Sequence, residues 1–177
     1  VVGINTRMIY LLYDDGSRSE KVILNELGGC KGIIQSDGYS PYRKLESDAY
    51  PHITRIPCLQ HIKRKFIDCG EDEPDAKRIV ELINTLYQNE HKHKIGVDGW
   101  TVEQNLVHRK KYAPDILGEI KDVLDDIEER GDLLPKSELK EAVTYLRNEW
   151  NAVVDIFNYG DTYLDNNIVE RMNRYIS

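Results

Sequence analysis

The sequence predicts an α/β protein with a short sheet portion near its start and a large all-helical block behind it. Three observations carry this expectation. Residues 7–13 and 32–36 are short apolar stretches that flank a segment of helical spacing, in the order strand, helix, strand. Residues 52–58 (His-Ile-Thr-Arg-Ile-Pro-Cys) alternate in character and read as a third strand. After Cys58 the apolar residues recur every three or four positions throughout the middle of the chain.

Taken in order, residues 7–13 (Arg-Met-Ile-Tyr-Leu-Leu-Tyr) are a buried-strand candidate, and Asp14-Asp15-Gly16-Ser17 makes the turn after it. Residues 19–27 place Val22, Ile23 and Leu27 at helical spacing, and Gly28-Gly29 stops that helix. A strand follows at 32–36, carrying the β-branched Ile33 and Ile34 between Gly32 and Gly38. A strand–helix–strand unit makes its two strands parallel, so 7–13 and 32–36 are expected to run parallel. Asp37 falls at the carboxyl end of the second strand, the side of an open α/β sheet where ligands collect. Gly38 lets the backbone turn there. The competing reading is an Asp that only opens a turn. Residues 40–49 are a short helix or turn.

The helical block comes next. Residues 59–69 read as helix, and 75–87 set Ile79, Leu82, Ile83 and Leu86 on one face. Thr101, with Gln104 three residues on, forms a capping box that opens another helix. Ile116, Leu117, Ile120, Val123, Leu124 and Ile127 make a stripe that ends at Gly131. Leu139, Ala142, Val143, Leu146, Trp150, Val153, Val154 and Phe157 make a longer one after Pro135. Such stripes are core surface and need no cofactor. Asp165 is a good N-cap for a last helix. Its apolar face would be Ile168, Val169, Met172 and Ile176, with Asn167, Glu170 and Arg174 on the other. Docked on the sheet, that helix would hold Glu170 over the strand end bearing Asp37. The competing reading is a solvated Glu–Arg face.

Composition sets the class. The chain has 177 residues, 40% hydrophobic and 31% charged, which suits one soluble globular domain with a real core. No apolar run approaches a membrane span, and no stretch reads as a signal peptide. Three cysteines, Cys30, Cys58 and Cys69, without disulfide spacing suit a reducing cytoplasm. The chain opens Val1-Val2-Gly3 without an initiator Met, as expected of a piece of a longer protein. The net charge is −7, whereas a chain binding nucleic acid over its whole surface is usually basic. Cations nevertheless cluster at His61-Ile62-Lys63-Arg64-Lys65, at His108-Arg109-Lys110-Lys111, and at Arg171 with Arg174. The acidic surplus sits mainly in residues 115–132. Most charge runs are solvated helix faces, so the pattern permits nucleic acid without requiring it.

Three stretches together resemble the insertion-sequence-66 family of transposases, of the DDE class. The first is Lys-Gly-Ile-Ile-Gln-Ser-Asp-Gly-Tyr-Ser-Pro-Tyr at residues 31–42. The second is Cys58-Leu59-Gln60-His61-Ile62-Lys63-Arg64-Lys65-Phe66, like that family's Cys-x-x-His-x-x-Arg-(basic)-Phe. The third runs from Leu134-Pro135-Lys136-Ser137 through Trp150 to Asp165-Asn166-Asn167-Ile168-Val169-Glu170-Arg171. The turn at residues 13–19 also fits, and order and spacing agree over nearly the whole chain.

The resemblance implies an RNase-H-like fold, incomplete because its first strand is missing, with a large all-helical insertion. The implied division is 1–58 for the sheet portion, 59–160 for the insertion and 161–177 for the final helix. It also implies a transposase core that cleaves DNA and transfers strands with two Mg²⁺ (or Mn²⁺) ions. Asp37 matches the family's second metal-binding carboxylate and Glu170 its third. The first matches nothing here and belongs to a strand upstream of Val1; Asp14 and Asp15 align with a turn and do not replace it. His61, Arg64, Lys65, Asn166, Asn167, Arg171 and Arg174 are the implied DNA contacts.

The residue types suit that chemistry. Two Mg²⁺ ions roughly 3.5–4 Å apart activate the attacking oxygen and stabilise the leaving one in a displacement at phosphorus. Mg²⁺ takes carboxylate and water oxygens in octahedral geometry. Cys58 and His61 alone do not make a closed zinc site. His91 and His93 read as an exposed helix end. The expectation is therefore a transposase catalytic-core fragment, inactive alone, with DNA and a possible second copy of itself as partners. The alternative is a non-catalytic DNA- or protein-binding module from a decayed transposase.

Overall fold

The computed structural model describes residues 2–3, 8–9, 20–38 and 40–166. The protein is a helix-rich α/β chain with a small parallel sheet. It divides into two compact units: Val1–Ile56 with Asp165–Ser177, and Pro57–Leu164.

In the first unit, β1 (Val2–Gly3) and β2 (Met8–Ile9) pair antiparallel, with Val2 opposite Ile9 and Gly3 opposite Met8. β3 (Gly32–Ser36) and β4 (Ile53–Pro57) form a separate parallel pair. Among the described residues, β2 pairs with β1 and β3 with β4. The reason is connection length. A short link lets neighbouring strands pair antiparallel at once, whereas a parallel pair needs a crossover. Here α2 (Ser40–Arg43) and the 3-10 turn Lys44–Glu46 supply it between β3 and β4.

Helix α1 (Glu20–Leu27) packs Ile23 with Leu45 and Ile53, and Leu24, Leu27, Ile34, Tyr42 and Tyr50 close around them. Gly28 ends the helix, its N–H bonding Leu24 O at 2.9 Å. A Cβ at Gly28 would stand 2.5 Å from Leu24 O and 2.7 Å from the Tyr50 ring, so the stop signal is also a packing requirement.

The second unit is four helices: α3 (Leu59–Ile67), α4 (Pro74–Glu90), α5 (Val102–Arg130) and α6 (Glu138–Ile156). The stripes read from the sequence are its core, with Ile62, Phe66, Ile79, Ile83, Leu86, Leu124, Ile127 and Leu146 almost wholly buried. α4 packs on α5, and α3 packs on both α4 and α6. Ion pairs set the directions. Arg130 reaches Asp75 at one end of the α4–α5 pair and Arg109 reaches Glu90 at the other, so these helices run antiparallel. Arg147 on α6 likewise pairs with Asp125 and Glu128 on α5.

The capping box is formed as expected: Gln104 N–H bonds Thr101 Oγ1 at 3.2 Å, and Thr101 N–H bonds Gln104 Oε1 at 2.9 Å. α5 continues through Pro114 as one helix of 29 residues and stops at Gly131, whose φ of 65° is left-handed. The two ends of the unit meet, because Leu59 N–H donates to Leu164 O at 2.8 Å. The helical unit therefore ends beside the place where it begins.

Candidate functional site

Asp37 stands directly after β3 and is half-buried. Behind it runs a line of polar groups. Ser36, 5% exposed, donates its hydroxyl to the Asp37 carbonyl at 2.9 Å. Arg55 Nη1 lies 3.5 Å from the same hydroxyl, and Arg55 Nε donates to Glu46 Oε1 at 2.5 Å. The Arg55 side chain is 1% exposed and that of Glu46 39%. A guanidinium inside the β3–β4 pair is costly unless paired. Glu46 meets that cost from the crossover between the strands. Arg55 was not a candidate from the sequence. The signal was present, though: a lone cation between Ile53 and Ile56, at a position that strand alternation turns inward.

The second candidate group lies on α3. His61 is half-buried, while Arg64 and Lys65 are exposed one turn further on, at the spacing that places them on one face. Lys65 Nζ sits 5.8 Å from the centre of the Tyr145 ring. Cys58, at the start of this helix, is buried. Burial, then Glu138, Glu73 and Asp68, push the Cys69 thiol up to about 11, so it stays protonated at neutral pH. Among the described residues no three His, Cys, Asp or Glu side chains gather as a metal-ligand set.

The third group is the basic run at residues 108–111, of which Lys110 and Lys111 are exposed and Arg109 is not. Arg109 is 0% exposed. Its Nε donates to Glu90 Oε2 at 3.0 Å and its Nη2 to the other carboxylate oxygen, the two-pronged geometry that binds guanidinium to carboxylate most firmly. The remaining N–H groups reach the Ile156 carbonyl at 3.2 Å, the Tyr159 carbonyl at 2.5 Å, and the Thr162 hydroxyl and carbonyl, each at 2.6 Å. Tyr112 donates to Glu90 Oε2 at 2.8 Å, and Asn105 Nδ2 donates to the Gly160 carbonyl at 2.9 Å. Burial works to raise the Glu90 carboxyl, but the hydrogen bonds and charge of Arg109, with Tyr112 and Asn105, outweigh it and hold the carboxyl below its ordinary value. Burial and the Glu90 charge together raise the Tyr112 hydroxyl. The knot ties α4 and α5 to residues 156–162, the last stretch before Asp165.

Of the expected site residues, Asp37, His61, Arg64, Lys65 and Asn166 are described, and Asn166 is half-buried. Asn167, Glu170, Arg171 and Arg174 lie outside the described residues. The structure brings His61, Arg64 and Lys65 together on α3 and sets Asp37 in the other unit. Tested against a magnesium site, Asp37 has the right donor type, a hard oxygen at a strand end. It is one ligand, and the described residues do not supply a full set around it.

The family model described as Transposase IS66 family matches residues 3–177, and the chain belongs to that family. It is 28% identical over 162 residues to the uncharacterized protein y4jD of Sinorhizobium fredii, covering 88% of this chain and 30% of that protein. It is 26% identical over 177 residues to the uncharacterized protein y4qI of the same organism, covering 96% of this chain and 31% of that protein. The chain therefore spans about three tenths of the length of these relatives. No solved structure matches it. No helix among the described residues is long and apolar enough to cross a membrane.

Proposed function

We propose that this chain is part of the catalytic core of a DNA transposase, built on an RNase-H-like plan with α3–α6 as the helical insertion. The complete protein cleaves transposon-end DNA and joins it to a target. Asp37 and Glu170 are two of its three metal-binding carboxylates, and the third comes from a strand preceding Val1. Bound Mg²⁺ or Mn²⁺ would supply activation of the attacking oxygen and stabilisation of the leaving one. The chain's own part is to present Asp37 at a strand end and Arg64 and Lys65 for phosphate contact. Without the first carboxylate, the chain by itself is inactive.

The observation that carries this reading is the position of Asp37. Family membership over residues 3–177 names the class of protein, and Asp37 is the carboxylate that follows β3 of the parallel pair. The test compares this chain with one extended upstream, each given Mn²⁺ or Mg²⁺ and transposon-end DNA. The extended protein should join strands, and Asp37→Asn and Glu170→Gln should each abolish joining while leaving folding intact. Strand transfer that survives Asp37→Asn would refute the assignment.

A further inference from the structure

A different part of the helical unit carries a second feature. Residues 91–101 link α4 to α5, and 91–99 are exposed throughout. They do not form a loose loop. Gly96 N–H bonds Trp100 O at 2.9 Å, Val97 N–H bonds Lys94 O and Trp100 N–H bonds Val97 O, each at 3.0 Å. Gly96, Asp98 and Gly99 all take left-handed backbone angles, the conformation such a tight path requires. The loop is anchored by rings: His93 stacks on Trp100 with centroids 3.8 Å apart, and both meet His108 of α5 edge-on. The product is a recess lined by residues 91–94, Val97, Asp98 and Trp100.

The cations of this recess differ from those that brace the helices of the unit. Arg78, Lys121, Arg130 and Arg147 are each paired with carboxylates. Among the described residues, Lys92 and Lys94 have no carboxylate partner; Lys92 Nζ bonds only the Asn89 side chain. Lys111 extends the same face, one helical turn beyond His108. Asp98 is the one acid in the lining. In a chain of net charge −7, two lysines held out on a braced loop against a single acid suit an anionic polymer.

We propose that this recess, with Lys92, Lys94 and Lys111, binds the phosphate backbone of DNA, as a contact surface additional to α3. The inference rests on the reading that the protein acts on DNA, but its test needs neither metal nor catalysis. Anisotropy of a labelled random-sequence duplex is titrated with the chain at low and moderate salt, and Trp100 emission is followed in a Trp150→Phe background. Binding should be sequence-independent and should change Trp100 emission. Lys92→Glu with Lys94→Glu should weaken it about tenfold or more at low salt and flatten its salt dependence by roughly one phosphate contact per lysine lost. Lys121→Glu is the control and should change affinity less than twofold, and unchanged circular dichroism would show that each variant folds. The proposal is overturned if the chain binds no duplex, or if Arg64→Glu with Lys65→Glu removes all affinity while the loop variant binds like the wild type. Strand transfer that survives Asp37→Asn would refute the assignment of Asp37 and leave this binding untouched, so the two readings fail separately.

Discussion

Among the described residues each unit buries one arginine, and the two are held in different ways. Arg109, in the helical unit, spends its guanidinium on a carboxylate, a hydroxyl and three carbonyls, so that both charge and direction are satisfied. Arg55, in the sheet unit, is paired with a Glu46 that is itself partly in water, and touches Ser36 only at 3.5 Å. The first arrangement fixes a chain path. The second sits behind the backbone of Asp37. Burial of a charge thus serves stability in one unit and lies next to the candidate chemistry in the other.

The comparison breaks most visibly at Arg109. Arg109→Met should cost about 3–5 kcal/mol, because it leaves the Glu90 carboxylate and several carbonyls without donors; chemical denaturation of the chain measures it. Acid probes the same knot. The folded-state value of Glu90 is lowered, so its contribution is complete above the ordinary carboxylate value of about 4.3 and is lost as the pH falls through the lower, folded-state value. Stability should therefore fall on acidification below that point, and Glu90→Gln should flatten the fall. A Glu90→Gln profile parallel to the wild type would show that the knot does not titrate as argued.

Gly160 tests the same region by shape alone. A Cβ there would stand 2.1 Å from the Val102 carbonyl oxygen, and backbone does not yield as a flexible side chain does. Gly160→Ala should destabilise by about 1–3 kcal/mol, seen as a lowered melting temperature.

Arg55→Met should cost less, about 1 kcal/mol, because the abandoned Glu46 can turn to water. Its sharper readout is strand transfer by the upstream-extended protein. Activity should drop more than the small stability loss explains, and Arg55→Lys should restore it only in part, since Lys lacks the second N–H prong. Full activity in Arg55→Met would make this arginine as purely structural as Arg109. The smallest effect is at the α5 cap: Thr101→Ala should cost about 1 kcal/mol, and it should do so without touching either arginine.

Much of this was legible because it is local. Thr101 with Gln104, Gly131 after the α5 stripe and the apolar faces of α3–α6 all act within a few residues of themselves, and the structure has them as read. Asp37 at a strand end was legible for the same reason. The burial of Arg109 was not legible because its basic neighbours Lys110 and Lys111 are exposed, whereas its partners lie at Glu90 and in residues 156–162. Nothing in the run His108-Arg109-Lys110-Lys111 says which cation turns inward.

The sequence by itself determined where helices start and stop, which faces are apolar, and, through ordered motifs over nearly the whole chain, the transposase family. These depend on backbone angles, capping and periodicity, which each segment carries alone. Tertiary structure alone decided that β3 pairs with β4, that Leu164 returns to Leu59, that Gly160 must lack a side chain, and that Arg55 and Arg109 go inside. Each is a contact between residues far apart in sequence, and a buried charge or a close backbone approach is defined only by the partner that folding brings to it.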